Sequence, residues 1–573
     1  MDHLKLIRSR MTDEDVRLLS DIYEPTVVAV PDQDAWNGLT LMPDGRIRYY
    51  GHYRKKSVFD NSCDRCYIES ADGGLSWKRH IDDKSRLGPS VFVPFLNRYM
   101  NVITEEDGTY AIFADSPDST DIHRVLITPT VYIEPKAPFI MRSRQRILVV
   151  IHERRRELHP TAFFPVVLCS DDGESWREIH ISPAPFYERT DHSAGIRWQQ
   201  NNRENTIEEL SDGRLMMLSR TATDYHYVCY SSDGGDSWTD PVPSDFHSTG
   251  TMPYLKRLSD GRLLFLWCNT RPLPELPEAD GIWEDVFTNR DANHAAISED
   301  DGKSWIGFRE MALNPLRCNS DFRSIGGPED SRDKSVHQFE ALELPFGKIL
   351  VVYGQHTICR KMIILDTKWL YERSRNENFL HGLNGLSTHL YVKSILGGCR
   401  GKQHNPNDYV GHCAYNRTHG AMLIPSPESE GHEVLHICRT DDPRLVSNTG
   451  GAVWNFPAAT HGTVTVRARV DGEPLRLSLL DQWLNPCDPT ISDVAFLSFE
   501  LSKNMTGNEF RNINIEFDSD RQAATVNVGD TDNISLPLVG NMPNGICYLH
   551  LQSAAKTADL NGALIARLSF IAE

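Results

Sequence analysis

From about Tyr23 to about Tyr371, short apolar runs such as Ile147-Leu148-Val149-Val150-Ile151 and Leu263-Leu264-Phe265-Leu266-Trp267 alternate with clusters of Gly, Asp, Asn and Pro. Runs of this length, bounded by turn residues, predict antiparallel strands rather than helices. Three of the interruptions share one form: Pro43-Asp44-Gly45-Arg46, Ser211-Asp212-Gly213-Arg214 and Ser259-Asp260-Gly261-Arg262, with Pro345-Phe346-Gly347-Lys348 a degenerate copy. Asp-Gly suits a two-residue hairpin turn, so each copy marks a strand pair. Residues 370–405 lack clear alternation and read as a connector or irregular insertion. Alternation returns at 464–470, 475–480, 494–501, 513–517, 546–551 and 564–571, which predicts a second β unit.

A tighter repeat is laid over these strands. Ser70-Ala71-Asp72-Gly73-Gly74-Leu75-Ser76-Trp77 recurs at Cys169 to Trp176, Ser231 to Trp238 and Ser298 to Trp305, each as Ser (once Cys)-x-Asp-x-Gly-x-Ser-Trp. Asp and Gly supply the side-chain cap and the permissive backbone of a tight turn, and the Trp returns as a buried anchor on the next strand. The pattern is a turn staple rather than a catalytic site, and its recurrence makes the chain a repeat protein.

Composition narrows the partners. The chain has 573 residues, 40% hydrophobic and 24% charged, which fits globular material of more than one domain. A formal net charge of -19 repels phosphate backbones and anionic lipid headgroups, and no basic run offsets it, which argues against nucleic acid and membrane partners. The first residues lack the apolar core of a signal peptide, so the sequence as written carries no export signal. Its cellular location stays open. Twelve cysteines without a framework spacing predict mostly reduced, packed thiols. The lone pair Cys63-Asp64-Arg65-Cys66 needs two further ligands to hold zinc, so no metal or other cofactor is expected.

The set of four turns resembles the Asp boxes of the sialidase (neuraminidase) superfamily. That resemblance implies an all-β chain built as a six-bladed β-propeller followed by a C-terminal β-sandwich. The implied boundaries are an extension at 1–22, a propeller at 23–400, a connector at 401–440 and a sandwich at 441–573. The sandwich is expected to pack on the propeller as a structural appendage, with sugar binding as the alternative.

The family's substrate, sialic acid, bears a carboxylate on its anomeric carbon, which guanidinium forks hold well because they match two oxygens and keep their charge. Sialidases use three arginines, an Asp as acid/base, and a Tyr nucleophile activated by a Glu. Arg203-Glu204-Asn205-Thr206-Ile207-Glu208-Glu209-Leu210-Ser211-Asp212-Gly213-Arg214 is similar to the family segment that opens with the catalytic Glu, which places that role on Glu204. Continuing the resemblance, Arg220 matches the second triad arginine. Arg290 matches the third, eight residues before Ser298.

The chain also departs from the family. Ala35 stands where the first triad arginine belongs, and Arg54 matches a further arginine of that blade. Asp60 is the best match to the acid/base, with Asp64 competing. At the nucleophile, Ser335-Val336-His337-Gln338 puts Gln338 in the place of Tyr. A carboxamide is no nucleophile, whereas a His beside it titrates near neutrality and can take a proton from water. The His-Gln pair resembles a divergent group of gut bacterial mucin sialidases, glycoside hydrolase family 181. This implies release of terminal sialic acid, from mucin-type O-glycans, by water that His337 and Gln338 activate, with inversion. The competing readings are a propeller hydrolase or lyase acting on another acidic sugar, and a non-catalytic glycan-binding propeller.

Overall fold

The computed structural model describes residues 2–32, 38–54, 63–155, 157–158, 162–186, 202–248, 250–270, 290–313, 336–354, 360–392, 416–445, 447–529 and 532–573, with the side chains of 52–54, 63–64, 391–392 and 416–417 excepted. Among them, strands dominate, and six sheets of four antiparallel strands follow one another along the chain. The sheet that starts at Leu39–Leu41 continues through Ile47–Arg54, Cys63–Ser70 and Lys78–Ile81. The fourth sheet runs Arg203–Glu209, Leu215–Arg220, Tyr225–Ser231, Val242–His247, and the fifth Tyr254–Arg257, Leu263–Trp267, Ala292–Ser298, Ile306–Leu313. The last sheet, Glu340–Leu344, Lys348–Tyr353 and Lys361–Asp366, takes its fourth strand from the other end of the chain, Thr26–Ala29. The first strands of all six sheets line one axial cavity of about 890 Å³, so the arrangement is propeller-like.

Local chemistry explains the turns. In the three Asp-Gly hairpins the glycines have φ of 87°, 84° and 94°, and the Asp carboxylate accepts from the Arg two residues on, as Asp44 does from Arg46 Nε at 2.7 Å. The degenerate copy closes as a short 3-10 turn in which Phe346 itself takes φ 64°. In the repeated turns, the Ser70 hydroxyl donates to Asp72 and accepts from Gly74 N at 2.8 Å, while the Trp77 indole donates to Gly74 O at 2.9 Å. Turns 231–238 and 298–305 make the same bonds.

The second repeat corrects its expected register. Ser170, not Cys169, caps Gly173 N at 2.8 Å, and Asp172, not Asp171, accepts from Ser175 N at 2.7 Å. This turn is one residue shorter, because the cap needs a hydroxyl and Cys169 is held in the ladder opposite Arg177. Asp233→Ala tests the staple. Asp233 is pulled down to about 2 because, against the upward push of burial, the Ser237 hydroxyl and backbone N–H donate to it. Its contribution is therefore full above its unfolded value near 3.8 and is lost as pH falls through about 2. Thermal unfolding at neutral pH should show a loss of about 1 kcal/mol.

Two helices precede the sheets. Helix α1 is His3–Arg8 and α2 is Asp13–Asp21, the latter begun by a capping box between Thr12 and Asp15. Ile7, Met11 and Leu19 pack with Ile47, Leu350 and Ile364, covering the seam where first and last sheets meet.

The C-terminal unit begins well before residue 441, which corrects the expected boundaries. Ser374–Glu377, within the stretch expected to be irregular, pairs with the final strand Asp559–Ala572. Met422–Pro425 and Glu433–Arg439, placed in the expected connector, join that same eight-stranded sheet. Leu386–Ser387 joins a five-stranded sheet with Gly451–Ala459, Ile546–Ser553, Leu475–Leu480 and Leu497–Leu501. Both sheets feed one apolar cluster that includes Trp454, Val464, Leu477 and Phe570. The run expected at 494–501 starts later, since Ile491–Val494 is a helical turn.

The two units share a core. Trp483 and Tyr548 pack in one cluster with Phe265 and Trp267 of the fifth sheet. Beside it, Asn269 N donates to His294 Nδ1 at 3.1 Å, His294 Nε2 meets the Tyr548 hydroxyl at 2.5 Å, and that hydroxyl donates to Glu310 at 2.6 Å. Burial pushes His294 down to about 3, so the ring is neutral and the chain of donors runs one way. Among the described residues the cysteines are free and no helix is long and apolar enough to cross a membrane.

Candidate functional site

The site gathers where first strands begin and second strands end. Glu204 sits at the start of Arg203–Glu209, where the pairing slips between Arg203 and Thr206. Asn202 and Glu204 both take positive φ, 61° and 59°, an arrangement that costs a non-glycine residue about 1–3 kcal/mol and re-aims the carboxylate. Two contacts hold it: Asn202 N donates to Arg220 O at 2.6 Å and Glu204 N donates to His152 Nε2 at 3.0 Å. His152 therefore carries its proton on Nδ1, facing Ile133 O at 3.4 Å. Burial first, then the Lys136 charge, pushes it down to about 3.

The Glu204 carboxylate is buried and accepts twice, from Arg220 Nη1 at 2.5 Å and from Gln338 Nε2 at 2.7 Å. Burial alone would raise its pKa. The charges of Arg220, Lys136 and Arg203 outweigh burial and hold it well below the usual 4.5. Gln338, at φ 72°, is partly exposed and links the buried carboxylate to the outer side of the site.

The fifth and sixth sheets supply a second pair. Val336 N donates to Arg290 O at 3.0 Å and Asn293 Nδ2 to Val336 O at 3.1 Å, which sets the segment ahead of Glu340–Leu344 against Arg290. Arg290 Nη1 then donates to His337 Nε2 at 2.8 Å, and Nη2 to Gly250 O at 2.5 Å. Arg290 and His337 are both essentially inaccessible to solvent.

Of the residues singled out in the sequence, Glu204, Arg220 and Gln338 form one hydrogen-bonded group and Arg290 and His337 another. The part expected of His337 changes. The Nε2 lone pair that would take a proton from water instead accepts from a guanidinium, and Glu204 is joined to Gln338. Asp60 and Ala35 lie outside the described residues. So do the side chains of Arg54 and Asp64, whose backbones lie on the paired strands Ile47–Arg54 and Cys63–Ser70. Sequence reasoning missed His152, Lys136 and Asn205. Asn205 stood inside the quoted segment, but nothing marked it apart from its neighbours.

Six four-stranded antiparallel sheets whose first strands line one cavity define a propeller-like, mostly β protein. The chain belongs to the family described as BNR repeat-like domain, whose model matches residues 22–315. Among solved structures, it is similar to a mutant of Trypanosoma rangeli sialidase displaying trans-sialidase activity. The two are 14% identical over 96% of this chain and 91% of that one, with a TM-score of 0.31. It is also similar to a protein of unknown function from Dyadobacter fermentans, at 14% identity over 60% of this chain and 97% of that one, TM-score 0.36. A third similarity is to an exo-beta-1,3-galactanase from Phanerochaete chrysosporium, at 8% identity over 95% and 99%, TM-score 0.29. Among curated proteins none matches.

Proposed function

We propose that the chain is an exo-acting sialidase, a glycoside hydrolase that releases terminal sialic acid from glycans, mucin-type O-glycans among them, by direct attack of water with inversion. In this reading the six sheets are the blades of a six-bladed β-propeller and the C-terminal sheets form a β-sandwich. One observation carries the reading. Glu204 is hydrogen-bonded to Arg220 and to Gln338, and His337, next to Gln338 in the chain, is hydrogen-bonded to Arg290.

The chemistry follows from these groups. The two guanidiniums hold the substrate carboxylate. Gln338 offers no nucleophilic atom, so water forms the new bond at the anomeric carbon while the bond to the glycosidic oxygen breaks, and Asp60 gives that oxygen its proton. His337 keeps Arg290 in place. The proton lost by water goes to Glu204, which two hydrogen bonds leave with acceptor capacity. In the free protein its depressed pKa makes it a weak base. A bound carboxylate adds a negative charge beside it and raises its proton affinity, so the substrate primes its own base.

The test is incubation with α2,3-sialyllactose, followed for free sialic acid and for near-ultraviolet absorbance. Free sugar acid without new absorbance is expected. Growing absorbance would mean elimination, and neither signal would remove the hydrolase reading.

A further inference from the structure

The axial cavity adjoins the Glu204 group through two neighbouring residues. Glu204 and Gln338 are hydrogen-bonded to each other, and the residues that follow them in the chain, Asn205 and Phe339, both line the cavity. Consecutive Cα atoms lie about 3.8 Å apart. A sugar seated against the Glu204 carboxylate therefore has a side chain of a few carbons within reach of Asn205.

Asn205 is only 2% exposed, and neither its amide nitrogen nor its amide oxygen has a hydrogen-bond partner. A buried amide unsatisfied on both atoms is costly, which makes it a pointer to a ligand. Other polar groups of the wall are bonded within the protein. The Thr206 hydroxyl donates to Leu255 O at 3.3 Å and accepts from Leu255 N at 3.1 Å, and the Tyr254 hydroxyl donates to Ala341 O at 3.1 Å. Glu208 accepts from Arg142 Nη1 at 2.8 Å and from Arg257 N at 2.7 Å. Phe339 and Met252 add apolar surface to the wall.

The amide selects its ligand by its two faces. A carboxylate satisfies the nitrogen and repels the oxygen, and an ammonium does the reverse. Two hydroxyls on adjacent carbons satisfy both, one accepting from Nδ2 and the other donating to Oδ1. The C–H groups between them suit an apolar wall.

We propose that Asn205 determines specificity by binding a vicinal diol of the substrate in the axial cavity, namely the polyol tail of the acidic sugar. The identity of the tail rests on the sialidase reading, whereas the preference for neighbouring hydroxyls follows from the amide alone. The carboxylate remains with Arg220 and Arg290, and Asn205 contributes a neutral contact.

Titration calorimetry of the full chain tests this with N-acetylneuraminate and its seven-carbon analogue, which lacks the last two carbons of the tail and with them its vicinal diol. The wild type should bind the intact sugar about 10-fold more tightly, the worth of two neutral hydrogen bonds. Asn205→Leu should bind both sugars with the affinity that the wild type has for the shortened one. Its melting temperature should not fall, since an unpaired amide gives way to an apolar chain of similar size. Asn205→Ala carries the same test if the leucine variant does not fold. Equal affinities in the wild type, a preference for the intact sugar that survives the substitution, or weaker binding of both sugars in the variant overturns the diol seat. Failure of the wild type to bind either sugar overturns it too. Release of sialic acid from α2,3-sialyllactose reports on the sialidase reading separately. Tail-dependent binding that Asn205→Leu abolishes, with no such release, supports the seat and overturns the hydrolase reading.

Discussion

Arg220→Met should lower the unfolding free energy by about 3–5 kcal/mol, the cost of leaving one member of a buried ion pair without the other. Arg220 and Glu204 are almost fully buried, and their contact is 2.5 Å. Removing the guanidinium leaves a carboxylate in a site that burial alone would make it neutral to occupy. The double variant Arg220→Met, Glu204→Gln should recover most of the loss, because the uncompensated charge is then gone. The sign of the pH dependence follows from the depressed pKa of Glu204. Its ionisation stabilises the fold fully above the unfolded value near 4.5, and that contribution disappears as pH falls through the lower folded value. Urea unfolding of the wild type should therefore lose stability more steeply below pH 4.5 than Glu204→Gln does. Equal slopes would mean that Glu204 is not held ionised by its neighbours.

Glu204→Gln should lower kcat by about 10²- to 10⁴-fold, the usual worth of a positioned general base. The amide oxygen can still accept from Arg220 Nη1, and Gln338 can turn its own amide so that its oxygen accepts from the new NH2, so both neighbours stay in place while the proton acceptor is lost. KM should change little, and the acidic limb of the kcat profile should vanish with the carboxylate. His337→Ala should behave differently: its ring accepts from Arg290, so its loss frees that guanidinium and raises KM as well. An unchanged kcat in Glu204→Gln would return the base to some other group.

The strand and turn chemistry was legible in the sequence because it is local. Asp-Gly hairpins and Ser-x-Asp turns declare themselves within a few residues, and the bonds of Ser70, Ser231 and Ser298 follow that local rule. The second repeat shows the limit of pattern matching, since a Cys that keeps the spacing cannot replace a hydroxyl that keeps the bond. The early start of the C-terminal unit was hidden for another reason. Ser374–Glu377 and Leu386–Ser387 are too short to show alternation, and only pairing with distant strands makes them part of a sheet.

The candidate residues were readable in the sequence only through register against the family segments they resemble. Glu204, Arg220, Arg290 and Gln338 were singled out by their match to segments of the family the chain resembles, and the fold joins Glu204 to Arg220 and Gln338, and Arg290 to His337. Their neighbours were not, because Lys136 and His152 come from the third sheet and meet Glu204 only through closure of the ring. His152 ends a run of buried apolar residues and looks like any strand-end histidine until Glu204 N is found on its ring. The wiring of His337 to Arg290 is likewise a product of the fold, since the two are distant in sequence and joined by the Arg290–Val336 backbone pair.

The anomer of sialic acid that forms first tests the central proposal, attack by water where Gln338 replaces a tyrosine nucleophile. A proton NMR time course of the full chain with an α2,3-sialylated mucin core disaccharide reads it directly, before mutarotation mixes the products. The β anomer should appear first. Early accumulation of the α anomer would show a covalent intermediate on a residue of this chain and would contradict water as the attacking group.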